Sequence, residues 1–109
     1  MSGYYDLKRS GDQFMFNLKA ANHEVILTSE RYTTKANALA GIESVRKNSP
    51  TDARYERKIA TNGAPYFTLT ATNGQVIGRS EMYSSAAARD NGIASVKTNG
   101  PTGTVKDNT

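Results

Sequence analysis

The 109-residue chain contains no cysteine, which excludes a disulfide framework and any metal site built on thiolates. It has one histidine, His23. A catalytic triad or zinc site would therefore need partners that the surrounding sequence does not supply. No apolar run approaches the roughly twenty residues a membrane-spanning helix requires. The opening Met1-Ser2-Gly3-Tyr4-Tyr5-Asp6 lacks the basic-then-apolar order of a secretory leader. A soluble, cytoplasmic protein without a membrane partner is the expectation. Glycine-rich phosphate loops of the GxxxxGK(S/T) or GxGxxG type are missing. No basic run exceeds two residues (Lys8-Arg9, Arg46-Lys47, Arg57-Lys58). Residues 1–50 and 51–109 each hold seven Lys/Arg against five Asp/Glu, so the net +4 divides evenly along the chain. That pattern reads as a mildly basic, solvated surface rather than a phosphate-binding stripe.

What the chain does have is a repeat. Ser29-Glu30-Arg31-Tyr32-Thr33-Thr34 returns fifty-one residues later as Ser80-Glu81-Met82-Tyr83-Ser84-Ser85. On that offset Phe16 matches Phe67, Leu18 matches Leu69, Ile42 matches Ile93 and Val45 matches Val96. Upstream the offset is fifty, Tyr5-Asp6-Leu7-Lys8 answering Tyr55-Glu56-Arg57-Lys58, so one residue was gained in the turn between. Half a chain of this length is marginal for a core of its own. One domain over residues 1–109 is therefore expected, with repeats over about 4–51 and 53–107 sharing one core.

Within each copy the apolar period changes from two to about 3.6. Phe14, Phe16 and Leu18 alternate with Asn17 and Lys19, as Phe67 and Leu69 do with Thr68 and Thr70, which predicts half-buried strands. Shorter strands precede (Tyr5–Lys8, Tyr55–Ile59) and follow (Glu24–Thr28, Gln75–Arg79). Asn73-Gly74, and more weakly Asn22-His23, predict type I′ hairpin turns. Thr34 and Ser85 predict helix N-caps, with Asn48-Ser49-Pro50 and Asn99-Gly100-Pro101 as stops. Gly41 and Gly92 at one helical position imply close approach of helix to sheet. Residues 53–59 read as a strand joining the halves, and 103–106 as a short closing strand.

The tandem pattern Asn-(His/Gly)-x-Val-Ile-x-x-Ser-Glu-x-Tyr, followed by Gly-Ile-x-Ser-Val-(Arg/Lys)-x-Asn-x-Pro, resembles the YegP-like family of small bacterial proteins. The likeness runs from Tyr4 to about Pro101, with His23 in place of a turn glycine and Ala86 where a match to Lys35 would stand. It implies an α+β fold: two tandem β-β-β-α-β repeats share a single mostly antiparallel sheet, with exchanged C-terminal strands and helices packed on the sheet. The family is a domain of unknown function, so the resemblance transfers no catalytic or binding residue.

Two residue sets are candidates for function. Ser29, Glu30 and Tyr32, with Ser80, Glu81 and Tyr83, could form a symmetric hydrogen-bonded site for a small ligand or an enzyme. A strand-to-helix junction explains the same residues structurally, through hydroxyl caps and core-edge tyrosines. Lys8, Lys19, Lys58 and Arg79, with Asn17, Thr68 and Thr70, could share one polar sheet face that meets nucleic acid. No aromatic stripe accompanies them, so a solvated face is favoured and nucleic-acid affinity weaker than about 10⁻⁶ M is expected. The reading is a non-enzymatic, monomeric interaction or binding module with no catalytic residue, metal or cofactor. The partner is left open between a protein and nucleic acid, the latter not favoured. The alternatives are weak nucleic-acid binding on the basic sheet face and an enzyme or small-ligand binder built on the Ser-Glu-x-Tyr segment.

Overall fold

Period-two alternation becomes three antiparallel strands in each copy, and the 3.6-residue stretch becomes a helix. The computed structural model describes residues 3–109; Met1 and Ser2, which open the stretch read for a leader, lie outside the described residues. The order is β1 (Tyr4–Ser10), β2 (Gln13–Lys19), β3 (Val25–Ser29), α1 (Lys35–Asn48), β4 (Tyr55–Ile59), β5 (Pro65–Thr70), β6 (Val76–Arg79), α2 (Ala86–Asn99) and β7 (Thr104–Asn108). All seven strands form one sheet in the order β4-β5-β6-β3-β2-β1-β7. Every neighbouring pair is antiparallel except β1 and β7. The copies meet at β3 and β6, where Thr28 faces Arg79, the same position of each repeat. A pseudo-twofold axis therefore runs through the sheet at that pair and keeps both helices on one face.

Each helix lies over strands of both copies: α1 over β2, β5 and β6, and α2 over β5, β3 and β2. This straddling produces the shared core. Phe16, Leu18, Ile42 and Val45 are buried in the same places as Phe67, Leu69, Ile93 and Val96. Thr34 Oγ1 accepts from the Asn37 N–H and Ser85 Oγ from the Ala88 N–H, both at 3.1 Å, so the hydroxyl caps form as expected.

Two local expectations need correction. Residues 52–54 form a 3-10 turn, and the joining strand starts at Tyr55 rather than at 53. The Arg54 N–H donates to the Thr51 carbonyl and the Tyr55 N–H to the Asp52 carbonyl. These bonds turn the chain back onto the sheet after Pro50 ends the helix. The β2–β3 and β5–β6 hairpins are not type I′, because only His23 (φ 71) and Gly74 (φ 84) have positive φ there. His23 and Gly74 donate to the carbonyls of Ala20 and Ala71, leaving three-residue loops with a left-handed last residue. The residue gained between copies lies in the first hairpin. Its loop is Gly11-Asp12 in copy one and Thr61-Asn62-Gly63 in copy two.

After α2 the chain places β7 parallel to β1, with Val105 opposite Tyr5. The last strand of copy two thus closes the edge of copy one, the exchange the resemblance implies. Lys35 pairs with Asp107, Asn108 Nδ2 donates to Asp6 at 2.7 Å, and Arg46 donates to the Gly103 carbonyl at 2.7 Å. Among the described residues no strand lies on the outer side of β4, which pairs only with β5. The phenols of Tyr5 and Tyr55 donate to the carbonyls of Gly100 and Ser49 at 2.6 and 2.7 Å, tying the helix ends to the first strands. Burial pushes both phenols well above their ordinary pKa. Ser49 and Gly100 are equivalent residues in contact across the axis, and a Cβ on Gly100 would overlap the Ser49 hydroxyl.

Candidate functional site

The structure assigns the Ser-Glu-x-Tyr residues different tasks. Ser29 Oγ accepts from the Phe16 N–H at 2.9 Å and donates to the Glu30 carbonyl at 2.6 Å. Ser80 does the same with Phe67 (3.0 Å) and Glu81 (2.8 Å). Both hydroxyls are buried and fully engaged with backbone where the strand leaves the ladder, so neither is free to bind or attack anything. Tyr32 and Tyr83 are half-buried wedges between helix and sheet. Tyr32 stacks on Phe16 (centroids 6.2 Å, interplanar 9°) and Tyr83 on Phe67 (6.3 Å, 10°).

The repeated helix glycines face these rings, and a Cβ at Gly41 or Gly92 would collide with the Tyr32 or Tyr83 hydroxyl carbon and oxygen. The helices therefore approach the sheet closely, at Phe16 and Phe67, with the tyrosine of the motif closer still. Burial, then the charge of Glu30, raises the pKa of Tyr32, and burial with Glu81 and Glu24 raises that of Tyr83. Neither phenol nor the exposed Glu30 and Glu81 carboxylates has a side-chain hydrogen-bond partner among the described residues.

The opposite sheet face carries no helix. The pairings Tyr4–Lys19, Asp6–Asn17, Lys8–Met15, Asn17–Thr28, Thr28–Arg79, Thr68–Arg79, Glu56–Thr68 and Lys58–Tyr66 set these side chains on it. Lys8, Lys19, Lys58 and Arg79 thus share one side of the sheet with Asn17, Thr68 and Thr70, as their alternation implies, but the last three are buried rather than part of the exposed surface. Lys106 joins them through its pairing with Asp6, a residue sequence reasoning missed because the register of β7 was unknown. Against these five bases stand two acids, Asp6 and Glu56. The face therefore holds an excess of +3 out of the net +4.

Local contacts order part of this surface. Lys19 pairs with Asp6 at 3.2 Å. Burial raises the Asp6 pKa, but hydrogen bonds from Asn108 and Lys19 and the charges of Lys19 and Lys8 outweigh it and leave the carboxyl below its usual range. Lys106 Nζ sits 4.3 Å from the Tyr4 ring centroid, a cation–π contact worth about 0.5–1 kcal/mol when exposed. Tyr4 donates or accepts with His23 Nδ1 at 2.7 Å, so the lone histidine braces a turn against this face. In the middle, Asn17 Nδ2 donates to Thr28 Oγ1 at 2.9 Å. Thr68 Oγ1 is buried without a partner among the described residues. Among those residues no group of three or more His, Cys, Asp or Glu converges as a metal site would. Asp52 is ion-paired with Lys97 and Arg57, and Asp90 with Arg57 and Arg89.

A fused duplication on one sheet, helices on one side and a basic polar face on the other, defines the class of protein. The family model described as Domain of unknown function (DUF1508) matches residues 10–56 and again 60–107, once per copy. The chain belongs to this family. It is 68% identical to a UPF0339 protein of Bordetella pertussis over 109 residues, covering all of this chain and 98% of that one. It is 58% identical to the UPF0339 protein YegP of Escherichia coli K12 over the full length of both. The solution structure of a UPF0339 protein from Shewanella oneidensis superposes with a TM-score of 0.92 at 61% identity, covering 98% of this chain and 92% of that one. That of E. coli YegP, titled a protein of unknown function, gives 0.94 at 58%, covering 100% and 95%. None of these names or titles states an activity or a ligand.

Proposed function

We propose that this protein is a non-catalytic binding module that holds nucleic acid by its phosphates against the helix-free face of the sheet. The observation that carries the reading is the separation of charge by face, which the even division along the chain conceals. Lys106, Lys8, Lys19, Arg79 and Lys58 come from strands that span the sheet from β7 to β4. At a strand spacing of about 4.8 Å, this band crosses roughly 29 Å. Asn17, Thr68 and Thr70 lie buried between the bases, so the contacts to phosphate fall to the Lys and Arg side chains. The Tyr4 ring is covered by Lys106 and Tyr66 stands alone beside Lys58, so among the described residues the face has no row of aromatics and binding is electrostatic and indifferent to sequence. Consumption of Ser29 and Ser80 by the backbone supports the non-catalytic part. No helix among the described residues is long and apolar enough to cross a membrane. A cytoplasmic, monomeric protein completes the reading.

Fluorescence anisotropy with a labelled single-stranded oligonucleotide tests it. With about three phosphates neutralised, log affinity against log salt should have a slope of about −2, so binding weakens more than about tenfold between ~50 and ~200 mM salt. Replacing Lys19, Lys58 and Arg79 together by Gln should abolish most of that slope and of the affinity. Binding that ignores salt or the triple substitution would overturn the proposal, as would stronger association with anionic lipid vesicles than with the oligonucleotide.

A further inference from the structure

The helix side of the molecule holds two clefts, each built half from one copy and half from the other. The first, of about 680 Å³, lies between α1 and the β5–β6 hairpin, with Glu30 and Tyr32 at one end. The second, of about 280 Å³, lies between α2 and the β2–β3 hairpin, with Tyr83 in the equivalent place. Every residue lining the second stands fifty-one positions from one lining the first: Gly92 for Gly41, Ser95 for Ser44, Ile26 for Ile77, Glu24 for Gln75. Ala40 of the first cleft is matched by Asn91 in the second and Asn37 by Ala88, so the bulky helix side chain moves from one turn to the next and Asn91 lines the smaller space.

We propose that the first cleft is a binding site for a small organic amine with an apolar body, and that the second is the same site narrowed by Asn91. Five observations converge. The volume of the first cleft falls within the roughly 300–1,000 Å³ of small-molecule sites, and that of the second falls just below it. Neither lining contains a Lys, Arg or His, whereas each contains one carboxylate, Glu30 or Glu24. An anionic ligand would meet no cationic side chain there, and an ammonium group would meet its counter-charge. The Tyr32 hydroxyl, the Glu30 carboxylate and the Asn37 and Gln75 amides have no side-chain partners among the described residues, so they can accept from an N–H donor. Gly41, Ala40, Ala71 and Ile77 supply the apolar surface that takes the ligand body. The wall is fixed in advance: Tyr32 is held between Phe16 and the glycine face of α1 and cannot swing away.

The test uses cyclohexylmethylamine, with cyclohexylmethanol and cyclohexanecarboxylate as neutral and anionic counterparts, titrated into the intact protein and followed by amide chemical shifts. The amine should shift Gly41, Ser44 and Ala71 and bind at least about fivefold more tightly than the carboxylate, the size of a half-screened charge contact. Glu30→Gln, at an exposed position that leaves the fold intact, should remove that preference. Asn91→Ala should open the second cleft, so that shifts also appear at Gly92 and Ser95. A carboxylate binding as well as the amine, a preference that survives Glu30→Gln, or no shift at the first cleft would overturn the proposal. Shifts at the second cleft that are unchanged by Asn91→Ala would refute the narrowing.

Discussion

The first strands of the two copies, β1 and β4, descend from one sequence and now have opposite neighbours. At the position where β1 carries Leu7, fully buried, β4 carries Arg57, whose side chain is 38% exposed. The difference follows from β7, which lies beside β1 and has no counterpart beside β4. A covered strand can spend its positions on core; a bare one presents unpaired N–H and C=O groups and must discourage a second chain from pairing with them. Glu56-Arg57-Lys58 does so by charge. The Arg57 contacts with Asp52 (3.3 Å) and Asp90 (3.4 Å) are exposed and add little stability of their own. Where the neighbours are alike, as at Tyr32–Gly41 and Tyr83–Gly92, the copies stay alike. Duplicated halves diverge where their surroundings diverge.

The comparison breaks most sharply if the residues at the two edges are exchanged. Leu7→Arg places in a closed core the residue β4 tolerates at its open edge. It should cost more than about 4 kcal/mol, through an unpaired buried charge, and chemical denaturation should find the protein largely unfolded. A folded variant with β7 displaced but the remaining sheet intact would show that β7 contributes less than argued. Next come the features the halves share. Gly41→Ala and Gly92→Ala should each destabilise by about 1–3 kcal/mol, as overpacking does, and by similar amounts. Tyr83→Phe should recover part of the Gly92→Ala loss in a double-mutant cycle, because the hydroxyl is among the atoms struck.

Smaller still is the reverse edge swap. Arg57→Leu should change monomer stability by less than about 0.5 kcal/mol, as surface substitutions do. It should, however, raise self-association in sedimentation at high concentration. The weakest effect is acid fraying of β7. Lys35, then Thr109, holds the Asp107 carboxyl below its usual range, and Asp6 is also depressed. A depressed carboxylate adds stability above its unfolded pKa and loses it as pH falls. Backbone order in β7 should therefore decline below about pH 4 while β2 and β5 stay rigid, measurable by heteronuclear relaxation.

Strands, helices and caps were legible because alternation, the helical period and hydroxyls such as Thr34 and Ser85 are local signals. The turn type was misread because Asn-Gly serves both a type I′ loop and the left-handed end of a three-residue loop. In the latter, Asn73 Oδ1 accepts from the Gln75 N–H at 3.0 Å. The four bases of the helix-free face could be grouped by alternation alone. Lys106 could not, since its face depends on a register between residues a hundred positions apart, Tyr4 with Thr104. Counting charge by halves of the chain also hid an asymmetry that exists only between faces. The partnership of Tyr32 with Gly41 lay in plain view as two conserved-looking positions of the repeat, yet nothing local links a strand exit to a helix face. The clefts were beyond reach because each needs walls from both copies.

Because β1 is made first and β7 last, the nascent protein passes through a stage with the Leu7 edge uncovered. At about 5–20 residues per second, that stage lasts on the order of ten seconds from the appearance of β1. Six strands and both helices can assemble in that interval, but the edge that receives β7 remains a template for any matching segment. The best match nearby is the β7 of a neighbouring chain on the same message. Reciprocal exchange of this strand between two chains is thus the route that competes with closure onto β1. The arrival of β7 is the event that commits each chain to closing on itself.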